Sequence, residues 1–390
     1  MKNRLTKFFS FFIAFCILTC CVFHASAADA VFSSQNEAAA FIRAGMAERK
    51  SEISFSYNAG KKEIGDLNDI DLKRFFSSLK DGIDDKIFIH TGKGDEGDYL
   101  MNHSDKQYWS FVVFYEPTAQ TVTYDITVKA LYYTTADQEN AVTKAVTDAL
   151  NKLDLNNKSD YRKVCAITGF IRDTVTYDFA RMNDPFYDLK YSAYAAIINK
   201  TAVCQGYASL FYRMALEAGL DCRIIIGMAF NGKKWEQHEW NIVKIDGAYY
   251  NIDMTWIDTA NSPDYFLKGS KSFKAEYAAD PFYQSDEFGY RVSETDYVTN
   301  EPSGLWNENQ SGSDQKPVVD HTNIGDVDGD KTVTASDARL ALRAAVSLEK
   351  LTVTQTALAD ADRDGKVTAA DARLILRAAV SLEDRKTWFK

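Results

Sequence analysis

Near its C-terminus the chain repeats itself: SDARLALRAAVSLE, beginning at Ser336, returns as ADARLILRAAVSLE beginning at Ala370, 34 residues later. Each copy follows an acidic loop, Asp326-Val327-Asp328-Gly329-Asp330 in the first and Asp360-Ala361-Asp362-Arg363-Asp364 in the second. Aspartates at positions 1, 3 and 5 of a tight loop turn their oxygens inward, and position 12 adds Asp337 and Asp371 at the start of a helix. A hard cation takes about six to eight oxygens, so each loop predicts a Ca2+ site, with Thr332 or Lys366 at position 7 contributing a backbone carbonyl. A solvated acidic turn would not explain the repetition. Position 12 is Asp rather than the Glu of an ordinary EF-hand, and no helix is evident before either loop. Position 6 is Gly365 in the second loop but Lys331 in the first, which strains the first somewhat.

The repeat occupies only the end of 390 residues, a length that accommodates two or three domains. Lys2, Arg4 and Lys7, an apolar run over 8–23 and Ala25-Ser26-Ala27 read as a signal peptide over residues 1–27, shorter than a membrane span. Export is therefore expected. The net charge of −10 becomes −13 once those three cations are removed, and such a field repels nucleic acid and anionic lipid. Cys16, Cys20 and Cys21 leave with the leader, so Cys165, Cys204 and Cys222 remain, too few for a disulfide scaffold. Cys165 and Cys222 are open to two readings, packed thiols or a pair.

Residues 28–150 read as an α+β region, with an amphipathic helix over 34–49, alternating strands over 109–115 and 121–133, and a helix over 135–150. Nothing in them names a chemistry. Residues 151–299 form the next unit, 300–323 a polar linker rich in Asn, Ser, Gly, Asp and Gln, 324–384 the repeated module and 385–390 a tail.

The chemistry lies in the middle unit. Cys204 precedes an apolar run at helical spacing that ends at Gly219, so it opens a helix, where free backbone amides and the macrodipole favour a thiolate. Further on, residues 237–245 read as a strand, Asp246-Gly247 as a two-residue hairpin turn and 248–255 as the returning strand. With that turn Ile245 pairs with Ala248, Trp240 faces Asp253 and His238 faces Thr255. His238 and Asp253 become diagonal neighbours on one face, while Val243, Ile245, Ala248, Tyr250, Ile252 and Met254 form a core face. A carboxylate so placed fixes the tautomer of an imidazole and stabilises its cation. Trp235, Trp240 and Trp256 near this pair read equally well as groove lining or as core.

These residues carry two resemblances. Cys204-Gln205-Gly206-Tyr207-Ala208, Gly219-Leu220-Asp221-Cys222-Arg223, His238-Glu239-Trp240-Asn241 and Asn251-Ile252-Asp253-Met254-Thr255-Trp256, with Thr174-Val175-Thr176-Tyr177-Asp178 upstream, resemble the transglutaminase-like superfamily of papain-related thiol enzymes over about 160–265. The resemblance implies an α+β core in which Cys204 is the nucleophile, His238 the general acid and base, and Asp253 its orienter. The paired acidic loops resemble a type I-like dockerin over about 324–383, a small all-α module of cellulosomes. That implies two bound Ca2+ ions and a cohesin partner, met by Ala335, Ser336, Leu342 and Arg343 or by Ala369, Ala370, Leu376 and Arg377. The expectation is a secreted, scaffold-tethered peptidase or amidase acting on a protein or peptide substrate. A cross-linking protein-glutamine transferase comes second. A non-catalytic binding module or a polysaccharide-degrading component comes after it, since no pair of carboxylates stands out as a glycosidase pair.

Overall fold

The computed structural model describes residues 30–61, 69–230, 234–273, 276–306, 324–330, 332–346, 348–349, 351, 353–362 and 366–382. The expected signal peptide, residues 307–323 of the expected linker, Lys331, Asp364, Gly365 and the 385–390 tail lie outside them.

The first part of the chain builds a four-stranded sheet under two helices. In sequence these are β1 (Val31–Phe32), α1 (Gln35–Ala47), β2 (Glu52–Lys61), α2 (Asp69–Ile87), α3 (Asp98–His103), β3 (Ser104–Glu116) and β4 (Thr121–Tyr132), with strand order β1-β2-β4-β3. Strict alternation in β4 sends Val122, Tyr124, Ile126 and Val128 inward, where they meet Ala38, Ala39, Ile42 and Met46 of α1 and Phe76, Leu79 and Ile83 of α2. Period two on the sheet and period three to four on the helices thus share one apolar layer.

The middle unit contains α4 (Ala136–Leu153), α5 (Asp160–Thr174), β5 (Thr176–Tyr177), α6 (Ala193–Ile197), β6 (Thr201–Ala202), α7 (Cys204–Glu217), β7 (Cys222–Phe230), β8 (Trp235–Ile245), β9 (Ala248–Ile252), α8 (Met254–Thr259), α9 (Ser270–Phe273) and β10 (Tyr277–Ala279). Its antiparallel sheet runs β10-β7-β8-β9. Helix α7 is buried without interruption from Gly206 to Leu216. A helix buried on every side belongs inside a core, and α4, α5, α6 and one face of the sheet surround it. The other face is covered as well, by Phe273, Tyr277 and Phe288 over Ile225, Trp240 and Ile242.

Four details differ from the sequence reading. The expected boundary after residue 150 falls inside α4, whose Val142, Val146 and Ala149 join the core around α7. Residues 301–306, expected in the linker, pack on α5: Arg162 pairs with Glu301 at 2.8 Å, Tyr161 donates to the Glu301 carbonyl, and Trp306 meets Phe266 edge-on. Leu305 and Trp306 are the apolar anchors inside that otherwise polar stretch. The register of β8 with β9 is as expected from Ile245↔Ala248 to Asn241↔Ile252, but the returning strand stops at Ile252. Asp253 caps α8 instead, and Thr255 is helical.

The C-terminal module is helical, with α10 (Ala335–Ala345), α11 (Val353–Ala359) and α12 (Ala369–Ala379). Small residues Ala338, Ala341 and Ala372 with Ile375, Val327 and Ala361 let α10 and α12 pack closely. The fourth difference is α11, a short helix entering the second loop where none was evident. Its sequence, VTQTALA, is too short and too rich in Thr to announce itself by periodicity.

Candidate active site and acidic loops

Cys204 stands at the first position of α7 and is half-buried. Gly206 explains why the helix can begin there. A Cβ at that position would lie 2.6 Å from the Ala202 Cβ and 3.0 Å from the carbonyl oxygens of Lys190 and Ser192. The helix start therefore presses on the chain that leads into it, and Cys204 is held by both. Asn241 of β8 donates to the carbonyls of Ala208 in α7 and Arg223 in β7, stapling helix to sheet at 3.1 and 3.3 Å.

His238 lies on β8, opposite Gly227 of β7. Its Nε2 is 2.7 Å from Oδ2 of Asp253, which leaves Nδ1 as the nitrogen free to serve Cys204, a side chain near enough to act on the ring's charge. Burial opposes a charge on the ring, yet the Asp253 carboxylate and Cys204 outweigh it and raise the His238 pKa well above its ordinary value. These contacts favour the protonated ring. Trp256 lies against one side of it, centroids 5.2 Å apart.

The Asp253 carboxylate is fully buried and accepts four hydrogen bonds. Oδ1 takes the backbone N–H groups of Thr255 (2.9 Å) and Trp256 (3.2 Å), the free donors at the start of α8. Oδ2 takes His238 and the hydroxyl of Tyr277, also at 2.7 Å. Every lone-pair direction of this buried group is thus used, which offsets the cost of taking it out of water.

Sequence reasoning missed several neighbours. Tyr277 was invisible because β10 is three residues long and carries no pattern. Tyr177 lies close enough for Cys204, after burial, to help raise its pKa. Gln205, beside the candidate nucleophile, donates to the carbonyl of Asn102 in α3 at 2.6 Å, and Asn102 in turn donates to Glu239 of β8. Asp98 of the same short helix grips Arg223 at 2.7 and 2.8 Å and accepts the N–H of Ile224. The N-terminal region is thus bonded to α7, β7 and β8. Of the three tryptophans, Trp256 borders the imidazole, Trp240 is core with its indole N–H on Asn251, and Trp235 is exposed. Cys165 and Cys222 are free buried thiols, and burial pushes both up in pKa, Cys165 to about 11.

In the C-terminal module, carboxylate oxygens of Asp326, Asp328 and Asp330 lie within 4.8 Å of one another, as do those of Asp360, Asp362 and Asp371. An all-carboxylate set of this kind fits a hard divalent cation. Asp337 and Asp371 also close the capping boxes of α10 and α12, taking the N–H groups of Thr334 and Thr368 at 2.8 Å. Their other oxygens accept from the loop backbone, at Val327 and Asp328 in the first copy and Asp362 in the second. Each therefore joins its loop to the helix that follows. Thr332 turns its N–H and hydroxyl to Asp330, and Lys366 is described at position 7 of the second loop. Ala335, Ser336, Leu342 and Arg343 are exposed on α10, and Ala369, Ala370, Leu376 and Arg377 on α12.

Comparison with known proteins agrees with both halves. Residues 147–254 match the model of the transglutaminase-like superfamily core, and residues 324–378 match that of the dockerin type I domain. The Kyphoscoliosis peptidase of Homo sapiens is 27% identical over 151 residues, covering 35% of this chain and 22% of the relative. Its counterpart in Mus musculus is 35% identical over 78 residues, covering 16% and 12%. The chain spans at most 22% of the length of these curated relatives. A solved structure described as a TGase overlaps 39% of this chain and 52% of its own at 17% identity and a TM-score of 0.28, too slight a likeness to argue from. The chain carries a transglutaminase-like core over residues 147–254 and a type I dockerin domain over residues 324–378.

Proposed function

We propose that the core is a cysteine-dependent hydrolase, a peptidase or amidase, in a secreted protein that its dockerin fastens to a cohesin-bearing scaffold. The observation that carries this reading is the buried His238–Asp253 contact of 2.7 Å, with Cys204 at the start of α7 near enough to act on the charge of the same imidazole. In this mechanism the Cys204 thiolate attacks a peptide or carboxamide carbonyl, and the oxyanion is held in part by the Cys204 backbone N–H at the helix start. His238 gives its Nδ1 proton to the leaving amine as the C–N bond breaks, leaving a thioester. Neutral His238 then takes a proton from water, hydroxide displaces the thiolate, and the acid departs. Asp253 holds Nε2 throughout. The residues of this mechanism lie in the proposed 151–299 unit, which α4 and residues 301–306 complete, with the rest of the 28–150 region before it and the dockerin proposed at 324–384 after it.

The test is mass spectrometry of protein and cell-wall peptide substrates incubated with the parent and with Cys204→Ala, with and without a primary amine. New termini or deamidation made by the parent alone are expected. Amine incorporation would instead make the protein a transferase, and identical behaviour of both proteins would leave a tethered binding module.

The dockerin domain implies calcium and a cohesin partner. The aspartates at 326, 328, 330 and 337, with the Thr332 carbonyl, would hold one ion; those at 360, 362, 364 and 371, with the Lys366 carbonyl, would hold the other. Calcium would neutralise the clustered carboxylates and fix each loop against its helix. Chelation is expected to abolish binding of a cohesin module in calorimetry and to reduce the helical circular dichroism, both restored by added Ca2+. Binding that survives chelation would remove the ions from the argument.

A further inference from the structure

We propose that Tyr277 is a positioning residue for the reaction: by sharing Oδ2 of Asp253 with His238, its hydroxyl sets how firmly the imidazolium proton is held. This inference rests on the thiol-hydrolase reading above. The two donors reach the same oxygen at the same distance, 2.7 Å, while the other oxygen is committed to the backbone of α8. No rotation of the carboxylate frees Oδ2 from the tyrosine without losing the cap. Burial and the adjacent carboxylate raise the Tyr277 pKa far above its ordinary value, so the hydroxyl remains a donor at every working pH.

The fold spends effort on delivering this hydroxyl. β10 is an edge strand of three residues, and it can approach β7 only because residue 227 lacks a side chain. A Cβ there would lie 2.3 Å from the Ala278 carbonyl oxygen and 2.7 Å from the Ala279 Cα. Gly227 is also the residue paired with His238 across β7 and β8, so one position admits both members of the contact. The Tyr277 ring is fixed by stacking on Phe273 at 3.6 Å and by edge contact with Trp240 at 5.0 Å.

A hydroxyl that donates to a carboxylate spreads its negative charge and weakens its pull on a second donor. With the hydroxyl present, His238 releases its proton to a leaving amine more readily than the carboxylate alone would allow. The charged and titratable groups around this centre are Cys204 and Asp253 on the imidazole, Tyr177 and Tyr265 toward Asp253, and Glu236, Asp178 and Glu276 beyond those tyrosines.

Tyr277→Phe removes one oxygen and keeps the ring stack. The full chain, this variant and Cys204→Ala are treated with iodoacetate across pH, and peptide mass spectrometry follows carboxymethylation at residue 204. An anionic reagent reports the imidazolium as well as the thiolate, because its rate falls when the ring loses its proton. The upper limb of the profile is expected to move up by about half to one pH unit in Tyr277→Phe, with kcat falling about three- to tenfold on the substrate found above and KM unchanged. Titration of the His238 ring by 15N NMR should show the same upward movement. Superimposable limbs, or a downward shift, would overturn the inference, since the hydroxyl would then be packing or would be aiding the imidazolium. A parent that reacts normally while the variant matches it leaves the hydrolase reading intact. A parent in which Cys204 does not react overturns both.

Discussion

Asp253→Asn is expected to lower kcat/KM about 10³- to 10⁴-fold, the scale of loss when a carboxylate that orients a catalytic histidine becomes an amide. The reason is the set of partners. All four groups around the Asp253 side chain donate: two backbone N–H groups, the His238 ring and the Tyr277 hydroxyl. An amide must turn its NH2 toward one pair. Facing the backbone, it sets donor against donor and uncaps α8. Facing His238, it forces Nε2 to accept, which makes the ring neutral and removes the cation that the proposed mechanism sets beside Cys204. Stability shows the same loss with a defined pH dependence. The parent's His238 has a folded pKa raised above its unfolded value, so its contribution is full below the unfolded pKa and fades as pH rises through the folded one. The stability gap between parent and Asp253→Asn should therefore be widest in acid and narrow toward alkaline pH. Denaturant titrations at several pH values, together with kcat/KM on the identified substrate, measure both. A gap that widens as pH rises would contradict the charge pairing.

Asp98→Ala is expected to destabilise the folded core by about 3–5 kcal/mol, the usual cost of leaving one member of a buried ion pair alone. Arg223 is buried and held charged: burial opposes its charge, but the Asp98 hydrogen bonds and charge outweigh that. The rings of Tyr290 and Phe288, 4.2 and 4.8 Å from its guanidinium, cannot replace a carboxylate. The substitution also frees the N–H of Ile224 inside β7. For a unit of this size the midpoint of thermal unfolding should fall by roughly 10 °C. Because Asp98 belongs to the N-terminal region and Arg223 to the sheet that carries the site, the result also tests whether the two behave as one cooperative unit. Two separate unfolding steps, with only the first moved, would show that residues 28–150 are an appended domain. Proteolysis of a free N-terminal fragment would follow in that case, and activity would survive it.

Much of the site was legible because its geometry is local. A two-residue turn, Asp246 and Gly247 both at positive φ, fixes the pairing of the strands on either side, so His238 and Asp253 could be brought together by counting. The count erred in carrying the strand past Ile252, through Asp253 to Thr255. The place of Asp253 as a helix cap follows from the Met254-Thr255-Trp256 turn, six residues too short to show a period. Cys204 at a helix start was legible from the apolar run behind it. The acidic loops were legible from spacing and repetition.

Other features depend on contacts between residues far apart in the chain. Tyr277 reaches Asp253 across 24 residues, Asn102 meets Gln205 across 103, and Asp98 meets Arg223 across 125. No period or spacing encodes such pairs, because they arise where separately folded elements happen to dock. The sequence alone determined the order of the units, the two loops, the helix that begins at Cys204 and the hairpin that carries His238, since each is set by turn chemistry and periodicity within a few tens of residues. Only the tertiary structure decided that Asp253 is fully satisfied, that Tyr277 shares its oxygen and that α3 supports the site. Those depend on burial, where a charge survives only if distant elements supply every partner it needs.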